Sequence, residues 1–221
     1  IYCLGERGWP LNREKIKNLL DHHVPEPLGL DHRFAVLCPL IDVDGETHVL
    51  FEKRSLHLSS HTGEVSLPGG RIEEGETPRE AAFRETIEEL RIDPIHLNIL
   101  GEGNYLVARN NRAVHVFIGT LEGIAVEDIS PEPGEVAYVF TVPLSVFLNT
   151  EPEEHNIEFK KDRDDGFPYD LIPQTTVAPF RNIKDRIFFY KEAKEKEQIV
   201  WGMTAKIMRD VGKLLRKTIT N

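Results

Sequence analysis

Glu85, Glu88 and Glu89 stand about one helical turn apart in the stretch GGRIEEGETPREAAFRETIEELRI, residues 69–92, with Arg84 beside them and Gly69-Gly70 upstream. At about 100° per residue, Phe83, Ile87 and Leu90 fall on one stripe and the three glutamates cluster on roughly the opposite side. Like charges at these spacings repel by roughly a few tenths of a kcal/mol per pair. A hard divalent cation relieves that repulsion, because Mg²⁺ takes oxygen ligands and is commonly shared between carboxylates and substrate phosphates. Gly69 and Gly70 let the backbone come close to the same ion or to a phosphate. For three glutamates taken alone, a solvated acidic face is the competing explanation.

The element that must carry these side chains is a helix starting near Pro78. Thr77 serves as N-cap, Pro78 suits the first helical position, and Glu80 completes a capping box. Ahead of it, Phe34 to Asp42 and Thr47 to Lys53 read as a hairpin turning on Asp44-Gly45. Pro39 inside the first of these predicts an edge, an end or a bulge. Downstream, Leu97 to Arg109 and Arg112 to Leu121 read as a second pair of strands, and Val136 to Val142 as a further one, with a helical turn from Leu144 to Leu148. Residues 150–176 form a long irregular excursion with a strand at Ile157 to Lys160. Ile187 to Tyr190 is a strand, and Ile207, Val211, Leu214 and Leu215 mark a C-terminal helix from Gly202.

Strands on both sides of a central helix predict an α/β sandwich with a mixed sheet. Residues 1–30 read as an N-terminal helical appendage, with an amphipathic helix around 12–22 whose Ile16, Leu19 and Leu20 are expected to pack on the chain's own domain. Residues 31–217 read as a single domain that includes the C-terminal helix.

The spacing of Gly70, Glu76, Arg84-Glu85 and Glu88-Glu89 resembles the Nudix box. The resemblance implies an α/β/α Nudix sandwich flanked by N- and C-terminal helices, and hydrolysis of a nucleoside diphosphate linked to another moiety. Mg²⁺ or Mn²⁺ is then held by Glu85, Glu88, Glu89 and the Gly69 carbonyl, with Glu76 as outer or second-metal contact. Arg84 orients the carboxylates, and the general base is Glu85 or, from a loop able to swing over the metals, Glu135. The pattern departs at Thr86, where an aliphatic residue is usual, and at Arg91, where the box has glycine.

A second resemblance lies upstream. Leu50, Arg54-Ser55, Gly63 and Pro68-Gly69-Gly70 match in register the signature of Nudix coenzyme A diphosphatases, and Glu135 to Leu144 and Ile199 to Ala205 are also similar to that subfamily. Phe51, Glu52, Ser59 and Leu67 differ from leucine, threonine, arginine and phenylalanine of the signature. The likeness implies coenzyme A or an acyl-CoA as small-molecule substrate, met by Arg54, Ser55, Lys53, His61 and Gly70. An oxidised or ordinary nucleoside triphosphate, or another dinucleotide, is the runner-up because Ser59 removes a charge-assisted contact. A Nudix module that binds a nucleotide without turning it over is the non-enzyme alternative. Trp201 is expected in the core, while Phe167 and Tyr169 are open between pocket wall and packing.

With 221 residues, 40% hydrophobic and 29% charged, the composition is that of a globular protein. A net charge of −10 argues against nucleic acid as a partner, since such proteins present a basic surface. Cys3 and Cys38 are too few for a disulfide framework. The longest apolar run, Phe34 to Ile41, falls short of a membrane span and no signal peptide pattern is seen, so no membrane and a cytoplasmic location are expected. Nudix proteins are often dimers, which leaves a homodimer open.

Overall fold

The computed structural model describes residues 13–24, 27–108, 111–159, 183–191 and 198–219. The hairpin forms as its sequence requires: β1 (His32–Val43) and β2 (Glu46–Arg54) pair antiparallel through a turn in which Asp44 and Gly45 both have positive φ. The two strands pair only from Leu40 to Val43 against Glu46 to Val49. Beyond that they splay, and the segment that follows fills the fork: β3 (Val65–Ser66) pairs with β2, and β4 (Gly69–Arg71) pairs with β1 at Phe34 to Val36. Pro39 therefore lies in a central strand, contrary to expectation. It is tolerated because it falls where β1 passes from β4, whose register ends at Val36, to β2, whose register begins at Leu40.

The other edge of β1 runs parallel with β7 (Arg112–Leu121), which is flanked in turn by β5 (Leu97–Glu102) and β6 (Leu106–Ala108). The expected long strand from Leu97 to Arg109 is thus broken in two. β8 (Val136–Pro143) closes the sheet on the outer edge of β2. Among the described residues this makes a mixed sheet of eight strands.

Each face of the sheet carries its own core. On one, Ala35, Leu37, Ile41 and Leu50 meet Ala81, Ala82 and Leu90 of α2 (Pro78–Leu90). On the other, Cys38, Val49, Phe51 and Val116 meet Phe147 of α3 (Leu144–Asn149) and Ile207, Met208 and Val211 of α4 (Gly202–Ile219). The layers are therefore helix, sheet and helix, an α/β/α sandwich. A small sheet of β9 (Glu153–Phe159), β10 (Ile183–Tyr190) and β11 (Val200–Trp201) joins the second layer through Phe188, Tyr190 and Val200.

α4 packs as a core layer, with four of its side chains, Ala205, Ile207, Met208 and Val211, buried. Several expectations need correction. The helix α1 (Arg13–Asp21) has the expected place but buries none of its residues, so its apolar stripe does not pack on the described part of the chain. Trp201 is 40% exposed and stacks on Phe189 instead of entering the core. β9 begins at Glu153, four residues before the expected strand. Phe167, Tyr169 and Cys3 lie outside the described residues. Among the described residues no helix is long and apolar enough to cross a membrane.

The contact between α3 and α4 depends on Gly212, where an added Cβ would stand 2.2 Å from the backbone oxygen of Phe147. Gly212→Ala should lower stability by about 1–3 kcal/mol through overpacking, read as a shifted urea midpoint. An unchanged midpoint would show that the helices can part at no cost.

Candidate active site

The capping box predicted for α2 is present: Glu80 N–H donates to Thr77 Oγ1 at 3.3 Å and Thr77 N–H to Glu80 Oε2 at 2.8 Å. The buried side of the helix differs from the expected stripe. Ala81, Ala82, Thr86, Glu89 and Leu90 are buried, while Phe83 and Ile87 are only partly so. Small residues let the helix dock closely, and Thr86 satisfies its hydroxyl by donating to Ala82 O at 2.7 Å. Arg91 closes the helix in the left-handed conformation at φ 52°, the position where the box has glycine, with its N–H donating to Ile87 O.

This docking separates the three glutamates. Glu88 is exposed on the rim, with 60% of its side chain accessible. Glu85 is half-buried, and Glu89 is only 3% exposed because its Oε2 accepts the N–H of Gly69 at 2.7 Å. The expectation that all three share one face is therefore corrected: Glu89 turns under the helix, where β4 offers a donor. Among the described residues no three Asp, Glu, His or Cys side chains group so as to hold a metal ion as they stand.

Arg84 accounts for part of this. Its Nε and Nη2 bind Glu76 in a two-point fork at 2.9 and 3.0 Å, and its Nη1 reaches Glu85 at 2.8 Å and Glu88 at 3.2 Å. Nη2 also donates to Arg71 O. One guanidinium thus compensates three carboxylates. The Arg84 hydrogen bonds hold the Glu76 carboxyl below the usual range, and Glu76 in turn raises Arg84 above its own.

Two missing Cβ atoms shape the opposite wall. A Cβ on Gly69 would stand 2.3 Å from Ala35 O, so only glycine lets β4 lie against β1 there. A Cβ on Gly70 would stand 2.3 to 2.5 Å from the carboxylate atoms of Glu85. The Glu85 carboxylate occupies the space that any other residue at 70 would fill.

Beyond the helix, β2 brings further groups. Lys53 pairs with Val65, whose side chain lies in the α4-side core, so Lys53 faces away from α2. Leu50 lies in the α2-side core, and strand alternation puts Glu52 and Arg54 on that same face. Lys53 and Arg54 are therefore not brought together as substrate contacts. The buried Arg54 Nε has no hydrogen-bond partner among the described residues. Ser55 is buried, its N–H donating to Glu135 O at 2.8 Å, which ties exposed Glu135 to the end of β2. His61 sits in the exposed loop with Nδ1 3.1 Å from Glu64 Oε2.

Glu52 is the residue that sequence reasoning missed. It was visible only as a departure from threonine in the upstream signature, yet it is 0% exposed and neither carboxyl oxygen has a hydrogen-bond partner among the described residues. Burial, and then the charge of Glu89, push its carboxyl well above the usual range, against the pull of Arg54. Glu89 is pushed up to about 8, by burial first, with the Gly69 N–H opposing and Glu85 adding. Burial likewise raises Glu85, with Arg84 opposing.

The donor chemistry fits a hard divalent cation: carboxylate oxygens crowd one region beside a backbone that carries no Cβ, and two buried oxygens have no partner. Glu85, Glu88 and Glu89 are the residues that would hold Mg²⁺ or Mn²⁺.

Residues 31–162 match the family model of the NUDIX domain, and the chain belongs to the Nudix family. It is 41% identical over 116 residues to Nudix hydrolase 3 of Caenorhabditis elegans, covering 52% of this chain and 48% of that protein. Over 178 residues it is 33% identical to the mitochondrial Nudix hydrolase 15 of Arabidopsis thaliana, covering 80% of this chain and 56% of that one. It is also 33% identical over 119 residues to peroxisomal coenzyme A diphosphatase NUDT7 of Mus musculus, covering 53% and 50%. The chain spans about half the length of these relatives.

The raised Glu89 carboxyl has a consequence for stability. Between about 4.5, the ordinary value, and about 8, the folded chain holds this proton more firmly than the unfolded one, so stability falls as pH rises through that window. Without divalent cations, Glu89→Gln should reduce the slope of Tm against pH there. Equal slopes in the two proteins would contradict the burial of a charge at this position.

Proposed function

We propose that this protein is a divalent-cation-dependent hydrolase of a nucleoside diphosphate linkage, and that coenzyme A or an acyl-CoA is its substrate, giving 3′,5′-ADP and 4′-phosphopantetheine or its S-acyl form. The observation that carries the reading is the Arg84 clamp on Glu76, Glu85 and Glu88, set against a Gly70 whose missing Cβ admits the Glu85 carboxylate. Nudix hydrolases generally require Mg²⁺ or Mn²⁺. Such an ion supplies Lewis acidity toward phosphoryl oxygens and lowers the pKa of a bound water.

The chain's own residues do the rest. Arg84 Nη1 orients Glu85 through Oε1 in the cation-free chain, and a carboxylate oxygen of Glu85 accepts the proton of the water that attacks phosphorus. Partial burial makes Glu85 a better base than an exposed carboxylate. Glu135, exposed just before β8 and tied by its carbonyl to Ser55, is the alternative base. Arg54 brings positive charge to the α2 side of the sheet, where an anionic substrate must be met in a chain of net charge −10.

The choice of coenzyme A rests on the Arg54-Ser55 to Gly70 signature and on the similarity to the mouse protein named a coenzyme A diphosphatase. Ser59, exposed in the loop where the signature has arginine, favours a second reading in which an oxidised or ordinary nucleoside triphosphate is hydrolysed.

A product assay with millimolar Mg²⁺ or Mn²⁺ separates these, offering coenzyme A, 3′-dephospho-coenzyme A, NADH, ADP-ribose and 8-oxo-dGTP side by side. The expected outcome is preference for coenzyme A with release of 3′,5′-ADP; preference for 8-oxo-dGTP would move the substrate to the second reading. Glu85→Gln should lower turnover by about 10²-fold or more, and turnover within a few-fold of wild type would transfer the base role to Glu135.

A further inference from the structure

Glu52 sits near the C-terminal end of β2 and cannot be explained by packing. Its neighbours along the strand, Leu50 and Phe51, are core residues on opposite faces, so an apolar side chain would complete the α2-side layer at no electrostatic cost. Instead the position holds a carboxyl with no exposure and two unpartnered oxygens. Taking a carboxylate out of water without hydrogen bonds is among the most costly arrangements a fold can contain.

What faces it makes the cost larger. Glu89 of α2 approaches the same region, itself almost fully buried and holding only the Gly69 N–H, and Glu85 and Glu135 add negative charge. The compensating cation on this face is Arg54, and its buried Nε has no hydrogen-bond partner. Arg84, which neutralises the outer carboxylates, makes its hydrogen bonds to Glu76, Glu85, Glu88 and Arg71 O. The inner pair is thus buried, costly to ionise and short of partners among the described residues. A hard divalent cation satisfies all three conditions, since it takes oxygen ligands and offsets two negative charges.

We propose that Glu52 is a further carboxylate ligand of the cation site, contributed by the sheet opposite the glutamates of α2. This rests on the divalent-cation reading of the same site and adds to it a residue that the Nudix box does not contain.

The test is Mn²⁺ binding to the full metal-free chain, followed by calorimetric titration and by the paramagnetic resonance of free Mn²⁺. Wild type is compared with the isosteric Glu52→Gln and with Glu52→Thr, and circular dichroism checks that each variant folds. The expected result is the loss of one equivalent of Mn²⁺, or affinity weaker by about 10- to 100-fold, in both variants. At high pH the metal-free Tm of Glu52→Gln should equal or exceed that of wild type, because a buried carboxyl that is costly to ionise has been removed. Unchanged stoichiometry and affinity in either folded variant would overturn the role of Glu52 and leave the hydrolase reading intact. No saturable binding by wild type would overturn both.

Discussion

Gly69 and Gly70 place one short stretch of backbone between two obstacles, the carbonyl of Ala35 on β1 and the carboxylate of Glu85 on α2. A side chain at 69 would push β4 off β1, and one at 70 would displace the Glu85 carboxylate. The rest of the site follows from this contact: Glu89 can reach the Gly69 N–H, Glu85 can be half-buried without clashing, and Arg84 is left at the rim where it can fork onto Glu76. The fork between β1 and β2 is the topological reason that these glycines lie there, since β4 pairs with β1 only where β2 has diverged from it.

Two layers of carboxylates result, and they differ in how their charge is balanced. The outer layer, Glu76, Glu85 and Glu88, shares one guanidinium through charge-assisted hydrogen bonds. Of the inner layer, Glu89 accepts one backbone N–H and Glu52 accepts none. Such arrangements are kept at functional sites, where a ligand completes what the protein leaves unsatisfied.

Much of this was legible in the sequence where local chemistry decides the outcome. The capping box fixed the start of α2, Asp44-Gly45 fixed the hairpin turn, and the alternation of apolar residues fixed the strands that carry both cores. Tertiary contacts decided the rest. Helical periodicity alone could not show that α2 would dock through Ala81, Ala82 and Thr86, which rotates Glu89 inward and leaves Phe83 at the margin. Lys53 and Arg54 looked equivalent as basic neighbours until Val65 paired with one of them and fixed which face each took. Glu52 carried the weakest signal, a single substitution in a signature, because its burial depends on strands on both its edges and a helix above. The exposed stripe of α1 shows the opposite failure: amphipathic spacing predicts an apolar face but not what covers it.

Because the account turns on a carboxylate site built around Gly69-Gly70 for a divalent cation, the most direct measurement is a crystal grown with Mn²⁺ and a non-hydrolysable diphosphate, with anomalous differences collected at the manganese edge. The expected map has a peak between the Gly69-Gly70 backbone and the glutamates of α2, with Glu85 and Glu88 turned from Arg84 toward the metal and Arg84 still forked on Glu76. A map with no manganese there, and Arg84 still bound to Glu85 and Glu88, would contradict it.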